Sequence, residues 1–136
     1  MRRLLALLLT AALLTPACER PADRAVEDYA ATARALSDLT PFPGATLLSA
    51  VSGVEAAEAR YGSLAPPDSV AAYYRRMLAE RGYVVERETD DAGVHTIYSR
   101  KGDQPIWVRI SPNTGRPGVT WSVVGILAPA ADSLRP

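Results

Sequence analysis

His95 is the only imidazole in a chain of 136 residues, and Cys18 the only cysteine. A serine hydrolase needs a nucleophile, a base and an orienting acid in one place. No G-x-S-x-G elbow occurs, and Gly62-Ser63 is only a fragment of one. One histidine and one cysteine are too few for a zinc site, and a single cysteine cannot build a disulfide framework. Asp90-Asp91 is the densest acidic pair, but it lacks the alternating acidic loop and distant glutamate of a calcium site. Glu86 and Glu88 alternate with Arg87 along an expected strand. Glycosidase carboxylates need a cleft and a separation of about 5–10 Å, which this pattern does not supply. Pro112–Gly118 is glycine-rich but lacks the Lys-Ser/Thr ending of a phosphate loop and opens no helix. Acids and bases balance at 15 each, and Arg75-Arg76 is too small a basic patch for nucleic acid. These exclusions point to a non-enzymatic protein with no metal and no cofactor. The residues left with binding chemistry are Tyr98, Trp107 and Arg109, since aromatic and arginine side chains are enriched at binding hot spots.

The N-terminus carries a second, different chemistry. Met1-Arg2-Arg3 is basic, and Leu4–Leu14 (LLALLLTAALL) is apolar and uncharged. Spanning a bilayer takes roughly 20 apolar residues, so this run is too short for a stable transmembrane helix. A basic start before a short apolar run has the order of a secretory signal, which predicts export of everything after it. Leu14-Thr15-Pro16-Ala17-Cys18 resembles the lipobox of bacterial lipoproteins, although Thr15 stands where leucine is usual. The resemblance implies a diacylglyceryl thioether on Cys18, which becomes the mature N-terminus. Cleavage after Ala17 by an ordinary signal peptidase, giving a secreted or periplasmic soluble protein, is the competing reading, because Thr15 and Ala17 are both small. Removing residues 1–17 also removes Arg2 and Arg3, so the exported part carries a small acidic surplus. Without a basic cluster, stable membrane attachment would rest on the acyl chains, and it takes more than one.

The elements that must position the remaining residues follow from periodicity. Cys18–Asp23 is a short polar tether. Arg24–Leu39 has helical spacing, with Val26, Tyr29, Ala33 and Leu36 near one face, and could stand apart or dock. Thr40-Pro41-Phe42-Pro43-Gly44 ends that helix and marks a domain boundary, giving a tether at 18–40 and a domain at 41–127. Ala45–Ser52 and Ala57–Leu64 read as strands. Pro66-Pro67-Asp68 starts a helix, with Asp68 expected to accept from backbone donors one turn on. Val70, Tyr73, Tyr74, Met77 and Leu78 form its apolar stripe, and Gly82 caps it. Tyr83–Asp90, Val94–Arg100, Pro105–Ser111 and Val119–Leu127 read as four more strands in an antiparallel meander. Ala128–Pro136 is a flexible tail. The expected fold is α+β: an antiparallel sheet of five to six strands in the order β-β-α-β-β-β-β, with one amphipathic helix on one face.

Turn chemistry sets the registers. Gly102-Asp103 suits a two-residue hairpin loop, pairing Tyr98 with Trp107, Ile97 with Val108, Thr96 with Arg109 and His95 with Ile110. A three-residue loop at Asp91-Ala92-Gly93 pairs Thr89 with His95 and Glu86 with Tyr98. One face then collects Val85, Ile97, Ile106, Val108 and Ile110 as core. The other collects Glu86, Glu88, Thr96, Tyr98, Trp107 and Arg109, open to a partner or covered by the helix at 24–39. His95 falls on the core side, as a hydrogen-bonded structural residue.

Pro43-Gly44-Ala45, Tyr73-Tyr74, Leu78 and Gly82-Tyr83 together resemble small bacterial envelope domains that carry a "PGA … FY … L … GW" pattern and often follow a lipoprotein signal. The resemblance covers roughly residues 41–127, with Tyr73 in place of the usual phenylalanine and Tyr83 in place of tryptophan. It implies fold and location and no established activity. The combined reading is an exported, lipid-anchored envelope module that binds or scaffolds another envelope protein. The alternative is a small-molecule or lipid carrier with a pocket between helix and sheet, which calls for a cavity of about 300 Å³ or more. For the anchor, Cys18→Ser should abolish lipid labelling and impair removal of the leader. Intact-mass analysis showing an unmodified mature chain beginning at Cys18 would refute it.

Overall fold

The computed structural model describes residues 29–126; the leader, Cys18, the first residues of the expected N-terminal helix and the C-terminal tail lie outside that range. Helix α1 runs over residues 29–35. Strands β1 (Thr46–Ser52) and β2 (Ala56–Ser63) follow, then helix α2 (Pro67–Glu80). Strands β3 (Val84–Asp91), β4 (Val94–Lys101), β5 (Gln104–Pro112) and β6 (Val119–Ile126) complete the chain. All six strands form one antiparallel sheet ordered β1-β2-β6-β5-β4-β3. The expected α+β architecture is therefore present.

Helix α2 carries the chain from β2 to the far edge of the sheet and packs on β3, β4 and β5. Its buried face is Val70, Ala71, Tyr74, Met77 and Leu78, the spacing that an apolar stripe requires. Gly82, at φ 80°, ends it. The Gly82 N–H donates to the Ala79 carbonyl and the Tyr83 N–H to that of Leu78, closing a Schellman motif. At the other end Asp68 is not the cap. Pro66 holds that position and the first helical residue is Pro67, which has no N–H to satisfy. The Asp68 carboxylate instead lies 3.0 Å from His95 Nε2.

The N-terminal helix docks. Leu36 and Leu39 join the same core as the strands, and α1 lies on the same sheet face as α2. Gly125 is what lets it approach: a Cβ there would come within 2.9 Å of Leu36 Cδ2. The connection out of α1 is tied to α2, because Tyr73 donates to the carbonyls of Thr40 and Pro41, and to β4, because Lys101 pairs with Asp38 at 3.1 Å. Helix α1 thus leaves the Tyr98–Trp107 face open.

The β4–β5 register is the expected one throughout, Tyr98 opposite Trp107 and Thr96 opposite Arg109. The β3–β4 register is not. The loop contains only Ala92 and Gly93, both at positive φ (50° and 79°), as a two-residue primed turn requires. Asp90 consequently faces His95, Thr89 faces Thr96 and Arg87 faces Tyr98, and a bulge near Glu86 then brings Val85 opposite Ser99. The one-residue change moves Glu88 to the helix face, where it accepts from Arg75 Nε at 2.7 Å. Val85, expected in the core, stays 38% exposed because β3 is an edge strand with every residue exposed. Its run of charges discourages further strand pairing there.

The centre of the core is Trp121 on β6, 1% exposed. It stacks on Tyr61 (centroids 5.7 Å apart) and meets Phe42 and Tyr74 edge-on at 6.2 Å each. Its indole N–H donates to Tyr74 Oη at 2.8 Å. Burial pushes the Tyr74 hydroxyl well above its usual pKa, partly offset by the hydrogen bond from Trp121. The phenol therefore ionises near pH 10 in the unfolded chain and only above that in the fold. Its neutral form supports stability fully below pH 10, and that contribution is lost as pH rises past 10, where only the unfolded state has released the proton. Alkaline titration followed by phenolate absorbance should show one tyrosine appearing together with unfolding. Tyr74→Phe should remove that coupling and cost about 1–3 kcal/mol, because the indole N–H is left buried without an acceptor.

Candidate functional site

The two sheet faces carry different chemistry. On the helix-covered face, small residues leave space under α1. Ala50 pairs with Ala59 across β1–β2, and Ala57 pairs with Gly125 across β2–β6. The short side chains of Ala50 and Ala59 leave room between this part of the sheet and α1. A groove of about 140 Å³ results, with Ala50 and Ala59 in its floor, Thr32 and Leu36 on the helix side, and Tyr29 and Tyr61 among its walls. Thr32 is 2% exposed and its Oγ1 has no hydrogen-bond partner among the described residues. Buried hydroxyls are ordinarily paired, so Thr32 Oγ1 beside this groove is a hydrogen-bonding group that nothing among the described residues satisfies. Tyr61 is half-buried, and desolvation raises its pKa, with Tyr29 adding to the effect. The Tyr61 phenol therefore stays neutral and can donate.

A pocket between helix and sheet is the alternative the sequence offers, but the sequence does not locate this groove under the N-terminal helix. Its signal lay in the alanine-rich stripe of the first helix and the alanines of β2, which only become a cavity once β2 pairs with both β1 and β6. The volume is below the roughly 300–1,000 Å³ of sites that enclose a whole drug-sized ligand. It is close to the roughly 150 Å³ of an engineered apolar cavity that takes up benzene.

On the opposite face Tyr98 and Trp107 are direct partners, and Arg109 lies next along β5. The structure thus brings the three expected residues together. It adds Arg87, whose guanidinium carbon sits 4.6 Å from the Tyr98 ring centroid, and Arg60 on β2, which pairs with Ser122 on β6 as Arg109 does from the other side. Neither was legible locally. Arg87 depends on the β3–β4 register, and Arg60 on a strand pairing distant in sequence.

His95 is 7% exposed, between Asp90 and Ile110 in the sheet, with Asp68 against Nε2 and Asp90 3.6 Å from Nδ1. It fastens the first turn of α2 to the sheet, the structural role expected of it, with Asp90 in place of Thr89 as its cross-strand neighbour. Among the described residues no group of three or more His, Cys, Asp or Glu is placed to hold a metal ion, and no helix is long and apolar enough to cross a membrane.

A six-stranded antiparallel sheet, covered on one face by helices with a groove between helix and strands, defines an α+β domain. The chain belongs to the START domain-like family, whose pattern matches residues 46–119, from the start of β1 through α2 to the first residue of β6. No curated protein and no solved structure matches it. The open face and the core should respond differently to truncation. Trp107→Ala should cost at most the cross-strand contribution of about 1 kcal/mol, whereas Leu78→Ala, fully buried on the sheet-facing side of α2, should cost about 2–5 kcal/mol. Thermal melts of the two variants measure the contrast.

Proposed function

We propose that this chain is an exported, non-catalytic binding module, tethered to the envelope membrane through acylated Cys18, which takes a small apolar ligand group into the groove beneath α1. The basic start, short apolar run and Ala17-Cys18 junction support the export and the anchor. Membership of the START domain-like family supports a ligand-binding role. The observation that carries the reading is Thr32 Oγ1, buried and, among the described residues, unpartnered beside a groove with an alanine floor. The ligand group is about the size of one aromatic ring or a few methylenes and bears one hydrogen-bonding atom. Any larger remainder of the molecule lies outside the groove, so a lipid would be held by one end and not enclosed.

Phenol and toluene separate the two parts of this recognition, since they differ in whether the ring bears a hydroxyl or a methyl group. Both should bind the full chain in ligand-observed NMR and raise its melting temperature, phenol more than toluene. Thr32→Val keeps the shape and removes the orphan hydroxyl, so it should weaken phenol by about fivefold, the value of one hydrogen bond of about 1 kcal/mol, and leave toluene unchanged. Ala59→Leu should fill the floor and block both. Failure of the wild type to bind either probe, or equal phenol binding by Thr32→Val, would refute the assignment.

A further inference from the structure

The solvent face of the sheet reads as rows running across the strands, because antiparallel partners on one face lie side by side. One row is Ser49, Arg60, Ser122, Arg109, Thr96 and Thr89, in order from β1 to β3. It holds two guanidiniums and four hydroxyls and no carboxylate. In the next row toward one end Thr120 lies opposite Ser111, and in the next row toward the other Val124 lies opposite Trp107. Arg60 and Arg109 are separated by a single strand, so their Cα atoms are about 10 Å apart and both can lean over Ser122 between them. An open depression of about 260 Å³ lies there, bounded by both arginines and by Ser111, Thr120 and Ser122.

Two arginines side by side in one row repel one another. Three exposed arginines elsewhere are matched, Arg75 with Glu88, Arg76 with Glu80 and Arg100 with Glu86. Among the described residues Arg60 and Arg109 are in no such pair. The nearest carboxylate along β2 is Glu58, two residues from Arg60 in the neighbouring row and paired across from Val124, where it forms no ion pair with either arginine. Thr120 donates its hydroxyl proton to Asn113 Oδ1 at 2.7 Å, which leaves the hydroxyls of Ser111 and Ser122 as donors.

We propose that Arg60 and Arg109 clamp a phosphate group above Ser122, and that the phosphate belongs to a small soluble phosphorylated molecule whose uncharged part rests on Trp107. Planar guanidiniums approaching from two sides match the oxygens of a phosphate in the geometry that makes arginine its preferred partner. Hydroxyls beneath it supply donors without charge, and the absence of a carboxylate in the row removes the competing partner. Trp107, in the adjacent row and half-buried beside Tyr98, offers an apolar surface to whatever the phosphate is attached to. This site lies on the face opposite the α1 groove and stands or falls separately from it.

The test titrates the full chain with inorganic phosphate, then with phenyl phosphate, at constant ionic strength, following backbone amides by NMR. Saturable shifts should centre on Arg60, Arg109 and Ser122, and phenyl phosphate should bind more tightly than phosphate. Arg60→Gln and Arg109→Gln should each weaken phosphate by about tenfold, one charge-assisted contact apiece, and both variants should melt as the wild type does because their side chains are exposed. Trp107→Ala should erase the advantage of phenyl phosphate and leave inorganic phosphate unchanged. Shifts that do not saturate, that chloride reproduces, or that survive in the double arginine variant would overturn the proposal. A vesicle arm identifies the source: sedimentation with phosphatidic acid vesicles should be the same for wild type and double variant. If the double variant alone loses the vesicles while phosphate gives no response, the arginines face a lipid surface and the soluble ligand is wrong.

Discussion

One buried hydrogen bond holds the layers of this protein together. Trp121 brings an indole N–H into the middle of the sheet, where leaving it unpaired would cost more than the bond itself contributes. Its acceptor, Tyr74 Oη, comes from α2, so sheet and helix must meet in one relative position. Phe42, from the turn after α1, closes on the same tryptophan, and Tyr61 stacks on it from β2. Each of these aromatics belongs to a different part of the chain. The bond thus specifies where α2, the α1 exit and β2 sit, and the groove and the open face are both consequences of that placement.

What can be read from the chain divides by distance along it. Hairpins are legible because two or three turn residues decide them: Gly102-Asp103 sets every β4–β5 partner. The α2 stripe is legible because its period repeats over several turns, and its end because Gly82 is the residue a left-handed cap favours. The β3–β4 loop is one residue shorter than expected, since Asp91-Ala92-Gly93 can be divided as a two- or a three-residue loop and alanine is uncommon at positive φ. That single step moves Glu88 to the helix side and leaves Arg87 over Tyr98. The Asp68 cap fails for a related reason: proline already occupies the start of the helix, and the carboxylate lies beside the His95 imidazole instead.

The candidate sites are legible only in part, for the same reason. Tyr98, Trp107 and Arg109 come together through local pairing and can be grouped in advance. Arg60 joins them only through β6, and Thr32 reaches its groove only because α1 crosses the alanines of β1 and β2. Nothing in the local pattern of Arg24–Leu39 says which face of the sheet it will choose. The choice is made by Gly125, which offers Leu36 a gap on one side, and by the tyrosine hydroxyl that grips the carbonyls of Thr40 and Pro41.

The pairing of β2 with β6 has a kinetic consequence. Ala56 meets Ile126, about 70 residues downstream, and contacts between such distant residues bear the loop-closure entropy before any burial offsets it. The β3–β4–β5–β6 meander and α2 can assemble through neighbours alone, while the β1–β2 hairpin has no sheet to join until β6 exists. For a chain delivered N-terminus first, that hairpin emerges early and finds its partner last. In the interval Leu47, Leu48 and Val51 stand on a two-stranded ribbon with an unsatisfied edge, and such ribbons are marginal on their own in water. Of all the pairings in this sheet, β2 with β6 therefore bears the largest loop-closure cost.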